Sequence, residues 1–295
     1  MNKWNKFTKT IFIGLLLLLL AIIGLFFTIE IYDPPKIRFI TSNEQSYQAE
    51  NHFSGLQCFR HEGQIPLIDQ TTFRLLVWNL HKGQDQDWQL ALKDFSQKRD
   101  LLFLQEVSDK QKLPSMFSSE FFTSLYVSAF SYLGQQSGVL QLAKFVPQLY
   151  CSGASIEPWI RIPKVGSAMI FPLANGQTLM AINLHLVNFE LNPKHYSQQL
   201  ATMMNLISHH QGPIILAGDF NAWNKKRLTL LKQLASEQGL QEVSYSPDVR
   251  LRFSNNPLDW VFVRGFQVNQ ATTIETTSSD HNPLLLELEL ITPPQ

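Results

Sequence analysis

Between Thr10 and Ile29 no charged residue interrupts the chain, and the run carries Leu15 through Leu20 followed by Ala21, Ile22, Ile23, Leu25, Phe26 and Phe27. Twenty helical residues at about 1.5 Å each make roughly 30 Å, the thickness of a bilayer's hydrocarbon core. A buried globular helix keeps a polar face, and this segment has none. The pattern predicts a transmembrane helix over 10–29, preceded by a short N-terminus at 1–9. Residues 30–70 show no sustained period, contain Pro34-Pro35 and a polar stretch from Thr41 to Asn51, and read as a stalk and entry segment to the domain.

From 71 to 295 short apolar runs alternate with helical periods, which indicates a single α/β domain. Strands are expected at Phe73–Trp78, Leu101–Leu104, Ser167–Phe171, Thr178–Leu184, Ile214–Ala217, Leu258–Val263 and Leu284–Leu290. Trp88, Ala91, Leu92 and Phe95 follow a helical spacing, as do Tyr196, Leu200, Met203, Met204 and Ile207 before Gly212-Pro213. A third helix is expected after Asn224, a suitable N-cap, ending at Gly239. In the last strand Leu284, Leu286, Leu288 and Leu290 share one face while Glu287 and Glu289 take the other, so one sheet face is wet there.

Charge narrows the picture. Lysine plus arginine equal aspartate plus glutamate at 24 each, which excludes a strong field drawing the molecule onto a polyanion. Any nucleic acid would have to be held by a local patch, for which Lys225-Lys226-Arg227 is the best run, though it reads more simply as a solvated helix start. Lys3, Lys6 and Lys9 precede the apolar run while Glu30 and Asp33 follow it, which places the N-terminus in the cytoplasm and the body outside. A cleaved signal peptide is the competing reading, but Phe27-Thr28-Ile29-Glu30 offers no small-residue cleavage site. Cys58 and Cys151 are too few for a zinc site of paired cysteines and leave a disulfide or two buried thiols open. No glycine-rich phosphate loop and no G-x-G-x-x-G fingerprint is found.

Polar residues recur where the apolar strands end, and there a loop can aim them into one cleft. Asn79, Gln105 with Glu106, Asn183 with His185, and Asp219 with Asn221 follow four strands, and Asp259 and Ser279-Asp280-His281 come later. Carboxylate and amide oxygens suit Mg²⁺ or Mn²⁺, with Glu106 the natural ligand. His281 titrates near neutrality and can accept a proton from water. Its orienting partner is expected to be Asp259 and not Asp280, because neighbours in an extended segment point to opposite sides.

Trp78-Asn79, Gln105-Glu106, Asn183-Leu184-His185, Gly218-Asp219-Phe220-Asn221, Leu258-Asp259-Trp260 and Ser279-Asp280-His281 stand in the order and spacing of the endonuclease/exonuclease/phosphatase superfamily. Over about residues 73–290 the chain resembles that superfamily, and its YafD-like bacterial branch most of all. The resemblance implies a four-layer α/β sandwich, DNase I-like, with two packed mixed sheets flanked by helices and a cleft at one rim. It further implies Asn79 and Asp280 beside Glu106 at the metal, Asp219 orienting the attacking water, Asn221 on a phosphate oxygen, and His185 with Asn183 donating to phosphoryl oxygens or the leaving group.

The expected activity is metal-dependent hydrolysis of phosphodiesters, with nucleic acid the leading substrate class. A lipid or inositol-phosphate phosphoesterase is the alternative, and a non-catalytic binding module the second. Leu80-His81-Lys82-Gly83 replaces the Asn-Gly-Arg of abasic-site repair members, and Leu186-Val187-Asn188-Phe189 replaces the His-Leu-Gln run of sphingomyelinases. The expected location is a bacterial inner membrane, single-pass through 10–29, with the catalytic domain periplasmic and no protein partner implied.

Overall fold

A computed structural model describes residues 8–17, 24, 28–41, 47–50, 53–190 and 192–291. The chain enters through β1 (Ile29–Thr41), β2 (Tyr47–Glu50), β3 (Gln57–His61) and β4 (Thr72–Asn79). Helix α1 (Trp88–Ser96) leads to β5 (Leu101–Ser108), β6 (Thr123–Tyr132), β7 (Gln135–Ala143) and β8 (Leu149–Ile156). Then come β9 (Pro163–Pro172), β10 (Thr178–His185), α2 (Lys194–Ser208), β11 (Ile214–Asp219) and α3 (Lys225–Glu237). The described chain closes with β12 (Asp259–Arg264), β13 (Phe266–Thr273) and β14 (Leu284–Leu290).

Seven strands form one sheet in the order β1-β6-β7-β5-β4-β14-β13. Eight form the other: a two-residue edge at Gln241–Glu242, then β12-β11-β10-β9-β8-β3-β2. Each sheet has one parallel pair near its middle, β4 with β5 and β10 with β11. A parallel pair needs a crossover, and α1 and α2 lie in sequence within those two. Phe73, Leu75 and Val77 of the first sheet pack with Met169, Ala181 and Ile215 of the second in a core between the sheets. The opposite pleats bury Leu76, Trp78 and Leu102 beside α1, and Ile182, Leu184 and Leu216 beside α2 and α3. The mixed-sheet α/β fold therefore has four layers.

Leu284, Leu286, Leu288 and Leu290 enter the inter-sheet core, while Glu287 pairs with Arg74 on the wet side. Asn224 caps α3 by accepting from the Arg227 amide at 2.9 Å, and Gly239 takes φ +66° after it. Strand β12 starts at Asp259, one residue after the expected Leu258.

Three readings need correction. The stretch 30–70 supplies β1 at the edge of the first sheet and β2 and β3 at the edge of the second, where a stalk and entry segment without regular structure was expected. Edge strands need no long apolar run, and β1 alternates partly buried and exposed positions. Strands β6, β7, β8 and β13 carry Ser, Gln, Gly and Thr that hide the apolar alternation. Ser128, for one, is buried and satisfied by the Phe130 and Ser137 carbonyls. Arg227 is no solvated cation: it is fully buried, donates to the carbonyls of Val187, Asn221 and Glu190, and lies over the Tyr196 and Trp223 rings.

Residues 8–17 are helical, with Phe12, Ile13, Leu15 and Leu17 exposed. No described helix is long and apolar enough to cross a membrane. Nine residues of the expected span, 18–23 and 25–27, lie outside the described residues, as does 1–7.

Cys58 and Cys151 face each other across β3 and β8 and are joined by a disulfide closing 93 residues of chain. Replacing both by serine is expected to lower unfolding free energy by ~2–4 kcal/mol. A thermal midpoint equal to that of the wild type without reductant would show the bond to be dispensable.

Candidate functional site

The C-terminal ends of the two parallel pairs meet at one rim, and that fixes the site. Across β4 and β5, Asn79 pairs with Gln105. The β5–β7 register then breaks between Leu104 and Val107, and Glu106 takes φ +51°. Such a bulge turns a side chain out of its ladder. Glu106 thereby lines a cleft of about 590 Å³ with Lys82, Lys164 and His185.

Across β10 and β11, His185 pairs with Asp219, and Asp219 also faces Asp259 of β12. The approach depends on Gly218, at φ +139°, where a Cβ would lie 2.0 Å from the Leu184 carbonyl oxygen. Gly218→Ala is expected to destabilise the fold by ~1–3 kcal/mol. A thermal midpoint unchanged by this substitution would contradict that close approach.

His281 Nδ1 lies 2.7 Å from Asp259 Oδ2, so Nε2 is the nitrogen left to exchange a proton. The loop carrying His281 is clamped to β4: Trp78 Nε1 donates to the His281 carbonyl, and Ser279 Oγ donates to the Asn79 carbonyl. Asp219 accepts from Asn79 Nδ2 at 3.1 Å and from the Asn221 amide at 3.0 Å. The ligand atoms of Asp219, Asp259 and His281, all buried, lie within 4.8 Å of one another.

The local fields push the two imidazoles apart. Burial disfavours a charged His281, yet Asp259, then Asp219 and Asp280, raise it to about 10. Burial and the neighbouring Lys164 lower His185 to about 4. Burial also works against Glu106, but His185, Lys164 and Lys82 hold it down to about 2, so it stays ionised. Lys82 Nζ sits 2.6 Å from Glu106 Oε2, and Lys164 Nζ 2.8 Å from His185 Nε2. Burial pushes Asp219 up and Lys164 down.

Two expectations change. Asn183 lies one pleat below the rim, fully buried between the sheets; its amide donates to the Leu104 and Leu140 carbonyls and accepts from Gln105 Nε2. It therefore ties the sheets together and has no proton left for a phosphoryl oxygen. His185 reaches the cleft, but its Nε2 faces the Lys164 ammonium, so the donor at that point is Lys164. Asn221 spends one amide proton on the Leu186 carbonyl and has a second to donate.

Lys82, Lys164 and Arg227 are the residues that the strand-end reading missed. Lys164 is a lone cation at the start of the otherwise uncharged β9, which is the signal it offered. Arg227 holds the loops 187–190 and 221 through their carbonyls.

The donor chemistry fits a hard divalent cation. Glu106 is ionised on the cleft wall, and Asp280, half exposed, follows Ser279, whose hydroxyl is bonded to the Asn79 main chain. Asn79 brings an amide oxygen that takes one hydrogen bond, from the His81 amide.

A model of the endonuclease/exonuclease/phosphatase family matches residues 76–281. The UPF0294 protein of Vibrio vulnificus is 36% identical over 286 residues, covering 96% of this chain and 99% of its own. An endonuclease/exonuclease/phosphatase from Beutenbergia cavernae aligns with a TM-score of 0.58 at 14% identity, over 75% of this chain and 72% of its own. D. rerio TDP2 complexed with single-strand DNA product aligns at 0.54 and 16%, over 75% of this chain and all of its own. At such identities the two structures speak for the fold. With the family match and the Vibrio relative together, the chain belongs to the endonuclease/exonuclease/phosphatase family.

Proposed function

We propose that the chain hydrolyses phosphodiesters with water in a divalent-metal-dependent reaction. Members of its family are hydrolases acting on phosphoester bonds. The carrying observation is the convergence on one rim of an ionised Glu106, the His281–Asp259 pair and Asp219.

Water attacks phosphorus in line with the leaving oxygen: the new P–O bond forms as the old one breaks, and the water's proton passes to His281 Nε2. Asp259 fixes the tautomer and Asp219 orients the water. Asn221 and the Lys164 ammonium hold phosphoryl oxygens, with His185 keeping Lys164 in place. Mg²⁺ or Mn²⁺ bound by Glu106, Asn79 and Asp280 would supply positive charge against those oxygens.

Nucleic acid is the leading substrate class, supported by the DNA product named for the D. rerio structure. The apolar run 10–29 acts as an uncleaved anchor, with the N-terminus inside and the domain on the periplasmic side. Support comes from the uncovered apolar helix at 8–17 and the Cys58–Cys151 disulfide, a bond of oxidising compartments. The Vibrio match covers too much of the chain to leave this segment out.

The test is the purified full chain with Mg²⁺ or Mn²⁺, and with chelator, on DNA, RNA, phospholipid and a chromogenic phosphodiester. Metal-stimulated turnover is expected. None on any substrate would revive the binding-module reading.

A further inference from the structure

The uncharged N-terminal run ends where the catalytic cleft begins. Its last residue, Ile29, opens β1 and lines the cleft beside Glu106, Lys164 and His185. Thr28, just before it, accepts a hydrogen bond from the Leu133 amide at 2.7 Å. No stalk separates the run from the domain.

The same mouth carries large apolar side chains that no described residue covers. Leu133 is 67% exposed, Ile160 48%, Phe189 52% and Trp159 69%. Tyr132, Ile160 and Phe189 line the cleft with Ile29. Phe189 also belongs to a second, apolar pocket of about 330 Å³ with Trp159 and Phe253, so the belt is continuous through it. Buried apolar groups would be ordinary here, but a contiguous exposed belt marks a surface that binds something.

We propose that the mouth of the cleft docks on the outer face of the bilayer that the N-terminal run enters, so that the site works at the membrane surface. Trp and Tyr favour the membrane–water interface, and aliphatic neighbours gain from entering the acyl boundary. Arg161, exposed beside Ile160, is placed for lipid phosphates. Nucleobases could stack on the same aromatic rings, but a polyanion track needs unpaired cations. At this cleft Lys82 is paired with Glu106, and Lys164, held by His185, serves the one phosphoryl group at the site, so no row of cations continues onto the apolar mouth.

The full chain carrying Trp4→Phe, which removes the tryptophan just ahead of the apolar run, is reconstituted in phosphatidylethanolamine–phosphatidylglycerol nanodiscs, with and without brominated acyl chains, and tryptophan fluorescence is read with Trp159 and with Trp159→Phe. Brominated lipid should quench the protein that keeps Trp159, and Trp159→Phe should lose most of that quenching. Equal quenching in both proteins, or none, overturns the docking surface. So does quenching of Trp159 by a single-stranded oligonucleotide in unbrominated discs when brominated lipid has no effect. Because the readout is fluorescence and not turnover, its failure is separate from any failure of the hydrolase reading.

Discussion

Replacing His281 with alanine is expected to lower turnover of a chromogenic phosphodiester by roughly 10²–10⁴-fold, the range a positioned proton acceptor contributes. Asp259→Asn should fall in the same direction, because an amide cannot hold the imidazolium that forms at Nδ1. Alanine at 281 also leaves the buried Asp259 carboxylate without its cation, so His281→Asn is the control for folding. The raised pKa gives the sign of the pH effect. His281 rests protonated below about 10, and a base acts in its neutral form, so kcat/KM should climb as pH rises from neutrality towards 10. Stability should move the opposite way. A histidine raised from 6.5 to about 10 by folding stabilises fully below 6.5 and loses that contribution as pH passes through 10. A rate that falls over this range would make His281 a proton donor and overturn the base assignment.

The strands that carry the site were legible because each is a near-continuous apolar run ending in a polar residue, as in Leu75-Leu76-Val77-Trp78 before Asn79. That pattern follows from burial on both faces of the central strands. Asp259 was expected as the partner of His281 from alternation along extended backbone; residues 277–281 form a bend instead, and there Asp280 stays half exposed while Asp259 reaches His281 Nδ1 from the other sheet. Depth was not legible. Asn183 and His185 share a face of β10, yet one pleat separates an inter-sheet tie from a cleft residue, and only the opposing sheet decides which is which. Lys82 and Lys164 were hidden for the same cause. They lie 82 residues apart along the chain and meet at Glu106 only through the packing of both sheets. The entry strand β1 gave no apolar period because it pairs on one side only, with β6.

Glu106→Gln should cost activity on the same scale as loss of the metal. The substitution keeps the side chain's volume and the bulge that aims it, and removes only the charge. Charge stabilisation at a phosphoryl group is worth several kcal/mol, which at ~1.4 kcal/mol per decade is roughly 10³-fold in rate. The carboxylate is available for a cation at any working pH, since neighbouring charges hold it ionised down to about 2. The effect on folding should be small. The Glu106–Lys82 pair is part exposed, with Lys82 showing 39% of its side chain, and such pairs contribute about 0–1 kcal/mol. The decisive measurement is a cycle of two changes, substitution and chelation. If Glu106 acts by holding the metal, chelator abolishes wild-type turnover and takes nothing further from Glu106→Gln. A variant that still responds to added Mg²⁺ or Mn²⁺ as strongly as the wild type would remove Glu106 from the metal site. The charged cluster of Lys82, Lys164 and Glu106 would then belong to substrate binding alone.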